Sequence, residues 1–269
     1  MDFGICLQSV IPLRIGASHQ SEMVTQVLFG ELYRILEKEG NWLRVQLAYD
    51  RYEGWMDARQ SFPLDEEEYI RLFNADTPVS LDLVQLLSNE TRKSIIPVLL
   101  GSSLPGIEGH RFSVAKEQFS FDGLVADGRA LETALTKQER QKAKQTLIDD
   151  AMLYLNAPYL WGGRSPFGID CSGFTQMVYK LKKIKLLRDA AQQATLGDPL
   201  NFISESEPGD LAFFDDPEGN IIHVGLMMDK SRIIHASGKV RIDMIDHEGI
   251  FNEEERKYTH KLRVIKRMI

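Results

Sequence analysis

Pro158-Tyr159-Leu160-Trp161-Gly162-Gly163, followed a short loop later by Ile169-Asp170-Cys171-Ser172-Gly173-Phe174, sets the reading of the chain. Behind the glycine-rich loop, Phe174, Met177, Val178 and Leu181 recur at helical spacing, so Cys171 is predicted to open a helix. Unpaired N–H groups and the dipole at a helix N-terminus favour a thiolate, so a lowered thiol pKa is expected. The same amides can hold the oxyanion of an acyl-transfer intermediate. A lone cysteine at such a position reads more readily as a buried structural residue, so the rest of the chain has to decide.

Downstream, Glu207-Pro208-Gly209-Asp210 reads as a turn feeding the strand Leu211-Ala212-Phe213-Phe214. Ile222 to Met228 and Arg232 to Ser237 read as the next two strands, and a tight turn at Asp229-Lys230 would pair them as a hairpin. That register puts His223 within about one residue of facing His235 across the ladder. One imidazole can take the thiol proton while the second orients it, so Cys171, His223 and His235 are the candidates for a thiol–imidazole site. A zinc site built from the same three residues is geometrically allowed, but a thiol–imidazole pair explains them better.

The N-terminal part reads differently. Ser21 to Leu28, Leu32 to Leu36, Trp42 to Leu47 and Gly54-Trp55-Met56 are short strands with turns at Gly30-Glu31 and Glu39-Gly40-Asn41. This order resembles a bacterial SH3 domain over residues 1–62, carried by Pro12-Leu13-Arg14, Val27-Leu28-Phe29-Gly30-Glu31, Asn41-Trp42-Leu43-Arg44-Val45 and Glu53-Gly54-Trp55-Met56. At least one of Trp42 and Trp55 is expected to help fill its core. Residues 63–127 suggest a second, divergent SH3-like domain, with a short helix near Asp65 to Phe73 and strands in Ser94 to Leu100 and Phe112 to Ala126. A boundary is expected at Asp127-Gly128-Arg129, leaving 128–269 as the catalytic domain. There Thr136 to Asn156 is a helix with a Thr136/Glu139 capping box and a stripe of Ala143, Leu147, Ala151, Tyr154 and Leu155.

Residues 136–269 resemble the NlpC/P60 peptidases, through Pro158 to Gly163, Asp170 to Phe174, Pro208-Gly209-Asp210-Leu211, His223-Val224-Gly225 and Ile234-His235-Ala236. The resemblance implies an α+β chain, with one or two SH3-like β-barrels followed by a papain-like NlpC/P60 domain. It also implies Cys171 as nucleophile, His223 as base, His235 as third residue and Tyr159 beside the thiol. Architectures of this kind resemble γ-D-glutamyl-L-diamino acid endopeptidases, which cut murein stem peptides bearing a free N-terminal L-alanine. By that resemblance Asp170 and Ser172 would bind the substrate amine, with Trp161 nearby and Tyr52 or Glu53 completing the pocket from the barrel. Related readings are an amidase or acyltransferase using the same Cys–His pair, and a non-catalytic wall-binding protein; the intact Cys171, His223 and His235 weigh against the last.

Composition limits the alternatives. The 269 residues are 43% hydrophobic and 26% charged, as in an ordinary globular protein. Lys and Arg number 32 against 39 Asp and Glu, a formal charge of −7, which disfavours nucleic acid as a partner. No stretch is apolar for long enough to insert into a membrane. Met1 to Arg14 lacks the pattern of a secretory leader, so a cytoplasmic protein is expected, or a periplasmic or extracellular one if an export signal has been removed. The expected partner is a murein peptide, with no cofactor, no metal and a monomeric state. Of the two cysteines, Cys6 is flanked by Ile5 and Leu7 and reads as a small core residue, and His19, His110, His247 and His260 read as surface or structural.

Overall fold

The computed structural model describes residues 2–126 and 136–268, so the boundary expected at Asp127-Gly128-Arg129 lies outside the described residues. The chain forms two compact units, Met1–Gly128 with Trp161–Ser165, and Arg129–Leu160 with Pro166–Ile269.

The first unit opens with β1 (Asp2–Ile5), β2 (Val10–Arg14), β3 (Met23–Leu28), β4 (Leu32–Glu39), β5 (Trp42–Leu47), β6 (Glu53–Asp57) and β7 (Phe62–Leu64). They form one sheet in the order β3-β2-β6-β5-β4-β1-β7. Strand β5 shows why: Leu43, Val45 and Leu47 are buried, while Arg44 is exposed and Gln46 half-buried. That alternation turns one face of a pleated strand inward. The core is Cys6, Ile11, Leu13, Val27, Tyr33, Leu43, Val45, Leu47 and Met56. Contrary to expectation, neither Trp42 nor Trp55 belongs to it. Both indoles lie on the outward phase of their strands, half-buried, and Trp42 packs against the His19 ring at 4.8 Å.

Helix α1 (Glu66–Asn74) starts at an Asp65 cap and leads into β8 (Val79–Ser80), β9 (Val84–Asn89), β10 (Ser94–Leu99), β11 (Arg111–Val114), β12 (Glu117–Phe121) and β13 (Val125–Ala126). Strands β9 to β12 form a sheet in the order β10-β9-β12-β11, and β13 pairs with β8. Leu87, Val98, Phe112, Phe119 and Phe121 share a core with Phe3, Ile5 and Phe29 from the first strands. A second, divergent SH3-like domain is the expectation for this stretch; its sheet leaves Val84, Leu86 and Ile95 exposed and buries its other side against the β1 end of the first sheet.

The second unit begins with α2 (Lys137–Met152), whose Thr136/Glu139 capping box is formed on both sides. It buries Ala143, Leu147, Ile148 and Ala151, with Tyr154 just beyond its end, while Leu155 is only half-buried. The helix stops four residues short of Asn156, the position expected to end it, and Asn156 itself takes a left-handed turn with φ of 66°. After β14 (Arg164–Ser165), which belongs to the first unit, and β15 (Gly168–Ile169) come α3 (Cys171–Lys180), the short α4 (Ala190–Gln193), β16 (Asp198–Pro199) and β17 (Leu211–Asp215). The remaining strands are β18 (Ile221–Met227), β19 (Arg232–Ser237), β20 (Lys239–Ile245), β21 (Gly249–Asn252) and β22 (Lys257–Arg267). Their order is β16-β22-β17-β18-β19-β20-β21, and pairing of β21 with β22 closes six strands into a barrel. Helix α3 packs against β18 and β19, which brings its N-terminus to the strand that carries His223.

Candidate active site

Cys171 is the first residue of α3, and Asp170 caps the helix by accepting the Gly173 N–H at 2.6 Å. The thiol is 6% exposed. Burial and then the Asp170 charge push it up to about 12, against the pull of the Val224 and Ser172 backbone N–H groups and of Arg188. The lowered thiol pKa expected from the helix N-terminus is therefore not found, because desolvation and the capping carboxylate outweigh the amides. The resting sulfur is a protonated thiol and needs a base. Its contact with the Val224 amide places it against the peptide that links Val224 to His223.

His223 and His235 are 5% and 1% exposed. The observed register pairs Gly225 with His235, so His223 sits two residues from the position facing His235 rather than one. The reason is the connection: the turn spans one more residue than the two-residue loop expected at Asp229-Lys230. The difference matters, since side chains one step out of register would point to opposite faces of the ladder. With an offset of two they share a face as diagonal neighbours, and His223 Nε2 lies 2.9 Å from His235 Nδ1. Gly225 makes room for this contact. A Cβ at that position would meet the His235 Cβ at 2.9 Å and Ile233 Cδ1 at 2.6 Å.

The chain of contacts continues past the expected residues. His235 Nε2 lies 2.9 Å from Asp243 Oδ2, and Arg241 donates to Asp243 Oδ1 at 2.9 Å. Burial opposes the Asp243 charge, but hydrogen bonds from His235 and Arg241 prevail and hold its carboxyl below the usual range. His223 is driven well below the ordinary imidazole value by burial and then by His235 and His260. His235 is lowered too, mainly by burial, with Asp243 working the other way. His260 was expected to be a surface or structural residue. Its ring instead stacks on His223 at 4.1 Å, and burial, then His235, press its pKa down to about 4. No sequence spacing signals it, because β22 comes from far along the chain to pair with β17, the strand next to β18. Asp243 and Arg241 were missed for a milder reason. They lie on β20, where they look like ordinary alternating polar residues of a strand.

Tyr159 is held by its backbone N–H donating to Gly238 O at 3.0 Å. Its hydroxyl is raised to about 12 by burial and then by Cys171 and Asp170, so it shares their surroundings. Asp170 and Ser172, expected to receive the substrate amine, both meet Arg188. Arg188, 1% exposed, donates to Asp170 Oδ2 at 2.6 Å, to Asp170 Oδ1 at 3.0 Å and to the Ser172 hydroxyl at 2.9 Å. Three further expected residues lie in the first unit. Trp161, 58% exposed, donates its indole N–H to Glu22 at 2.6 Å. Tyr52 packs half-buried against the first core, and exposed Glu53 pairs with Arg44 at 2.7 Å and accepts from Gln46 at 3.0 Å. The imidazole nitrogens do not converge on Cys171 as zinc ligands would. Two are turned toward each other and a third toward Asp243.

A buried thiol at a helix start, backed by a hydrogen-bonded pair of strand histidines, is the geometry of a cysteine hydrolase. Residues 156–259, spanning Tyr159, Cys171, His223, His235 and Asp243, match the NlpC/P60 family model. The chain carries an NlpC/P60 domain. Residues 13–60 match the bacterial dipeptidyl-peptidase SH3 domain, so the α+β reading of a barrel followed by an NlpC/P60 domain holds. The chain is 28% identical over 235 residues to a γ-D-glutamyl-L-lysine dipeptidyl-peptidase of Bacillus subtilis, covering 83% of this chain and 75% of that one. It is 27% identical over 242 residues to dipeptidyl-peptidase 6 of Lysinibacillus sphaericus, covering 85% and 86%. The fold matches a crystal structure of an NlpC/P60 family protein from Bacillus cereus with a TM-score of 0.77, at 19% identity and covering 99% of each chain. The NlpC/P60 domain makes this chain an enzyme of cysteine-peptidase type.

Proposed function

We propose that the protein cleaves the γ-D-glutamyl–diamino acid bond of murein peptides that begin with a free L-alanine. The observation that carries the reading is the buried Cys171 thiol at the head of α3, served by the His223–His235 pair. With its own pKa well below neutrality, His223 rests as a neutral imidazole able to accept a proton. The thiol proton passes to His223 as the sulfur attacks the γ-carbonyl carbon. The oxyanion is held by first-turn amides of α3, which have no partner inside the helix. His223 then gives its proton to the departing amine of the diamino acid, leaving an acyl-enzyme that water hydrolyses as His223 takes a proton again. Relatives named dipeptidyl-peptidases support release of a two-residue unit counted from a free amino terminus. The reading fits a role in murein peptide turnover or recycling.

The test uses L-Ala-γ-D-Glu carrying either meso-diaminopimelate or L-lysine, each also N-acetylated, with products followed by mass spectrometry and a Cys171→Ala control. Release of L-Ala-γ-D-Glu from the free-amine peptides, abolished in the control, is expected. Cleavage of the acetylated forms at an equal rate would remove the free-amine requirement. No cleavage of any peptide under reducing conditions would overturn the reading and favour an amidase or acyltransferase.

A further inference from the structure

Three strands lay a file of polar side chains along one face of the barrel: His223 on β18, His235 on β19, and Arg241 and Asp243 on β20. The registers explain the alignment. Gly225 faces His235, His235 faces Arg241, and Ile233 faces Asp243, so each polar residue is a direct or diagonal neighbour of the next. His223, His235 and Asp243 are all at least nine-tenths buried. The contacts run at 2.9 Å from His223 Nε2 to His235 Nδ1, 2.9 Å from His235 Nε2 to Asp243 Oδ2, and 2.9 Å from Arg241 to Asp243 Oδ1.

Donor and acceptor chemistry dictates the protons in such a file. An ionised carboxylate only accepts, so His235 carries its proton on Nε2 and points it at Asp243. A neutral imidazole holds one N–H, so His235 Nδ1 is then an acceptor. It can take a hydrogen bond only from His223 Nε2–H, which leaves His223 Nδ1 unprotonated. We infer that Asp243 is a positioning residue that, through His235, fixes the His223 tautomer and keeps Nδ1 free as the base for Cys171. Arg241 holds the carboxylate in place and keeps it ionised. Without the carboxylate, the opposite polarity costs nothing: His235 Nδ1–H would donate to His223 Nε2, and the His223 proton would sit on Nδ1, where it blocks proton transfer from the thiol.

This inference rests on the peptidase reading for its kinetic arm only. In Asp243→Asn the side chain can present either an oxygen or an NH₂ to His235, so both polarities are populated with the shape kept. The expected result is a kcat roughly 10- to 100-fold lower with KM within about twofold, the split seen where a wrong tautomer disables a base. Asp243→Glu restores a carboxylate and is expected to recover part of kcat. The other groups facing the pair, His260 from β22, Arg241 from β20 and Cys171 from α3, stay unchanged.

Two further arms need no murein peptide. Nitrogen-15 NMR of the wild-type imidazoles should find both His223 and His235 protonated on Nε2. Alkylation of Cys171 by iodoacetamide at neutral pH, read by mass spectrometry, should slow by roughly an order of magnitude in Asp243→Asn. A wild-type His235 protonated on Nδ1, or an Asp243→Asn variant alkylated at the wild-type rate, would overturn the inference. If no peptide were cleaved by the wild type, the functional reading would fall while these two arms still decided the role of Asp243.

Discussion

At the scale of single residues, the site depends on a glycine as much as on its reactive groups. Gly225 lies opposite His235, and any side chain there would crowd the His235 Cβ at 2.9 Å. The Ile233 Cδ1, at 2.6 Å, is a flexible tip that can give way, whereas the His235 Cβ is fixed by its strand. Gly225→Ala should therefore push His235 off His223 and lower kcat by roughly tenfold or more, while overpacking costs about 1–3 kcal/mol of stability. Steady-state kinetics beside a thermal melt would check this; an alanine variant with unchanged kcat would show that the His223–His235 contact tolerates displacement. The same residues show what the sequence made legible. Cys171, His223 and His235 stood out because a helix start and two adjacent strands are local patterns, and local patterns survive in a linear reading. Asp243, Arg241 and His260 did not, since each reaches the site by sheet pairing that no short spacing encodes, and Arg188 did not because it reaches Asp170 from the irregular loop after α3. The thiol pKa was misjudged because the helix dipole is visible in sequence while burial, the larger effect here, is not.

At the scale of elements, the head of α3 is built as a small electrostatic unit. Asp170 caps the helix and pairs with Arg188, which is buried with it. The cap on the Gly173 N–H and the Arg188 contact with the Ser172 hydroxyl tie the first turn of α3 together. Asp170→Ala removes a cap worth about 1 kcal/mol and takes the carboxylate from a buried guanidinium, which costs about 3–5 kcal/mol. The melting temperature without any substrate should fall by roughly 10 °C. A residue kept only to bind a substrate amine would leave that melt unmoved, so differential scanning fluorimetry separates the two roles. The capping box of α2 and the start of α3 were readable because cap residues sit within three positions of each other. The β18–β19 offset was not, because a single extra residue in the turn shifts the register and changes which side chains share a face.

At the scale of the whole chain, the buried histidines are unequally distributed. His223, His235 and His260 all belong to the second unit and all are lowered from the ordinary value near 6.5. In the first unit, His19 and His110 have side chains that are 67% and 75% exposed. A histidine with a depressed folded-state pKa binds its proton more readily when unfolded. Below 6.5 the unfolded chain therefore takes up protons that the folded unit refuses, and stability falls as the pH drops, levelling for His260 only near 4. Carboxylates whose folded pKa is depressed, such as Asp57 at about 2, act lower down and lose their contribution only as the pH falls through that value. Acid should therefore loosen the second unit first, between pH 6.5 and 4, with the first unit following at lower pH. Hydrogen exchange at pH 7 and pH 5, corrected for the intrinsic rate and read by mass spectrometry, checks this directly. Protection in peptides from β18, β19 and β22 should drop while that of β2 to β6 holds, and His260→Phe, which keeps a ring against His223 but cannot be protonated, should recover part of the loss. Equal loss in both units would mean that the histidine cluster does not set the acid limit of the fold.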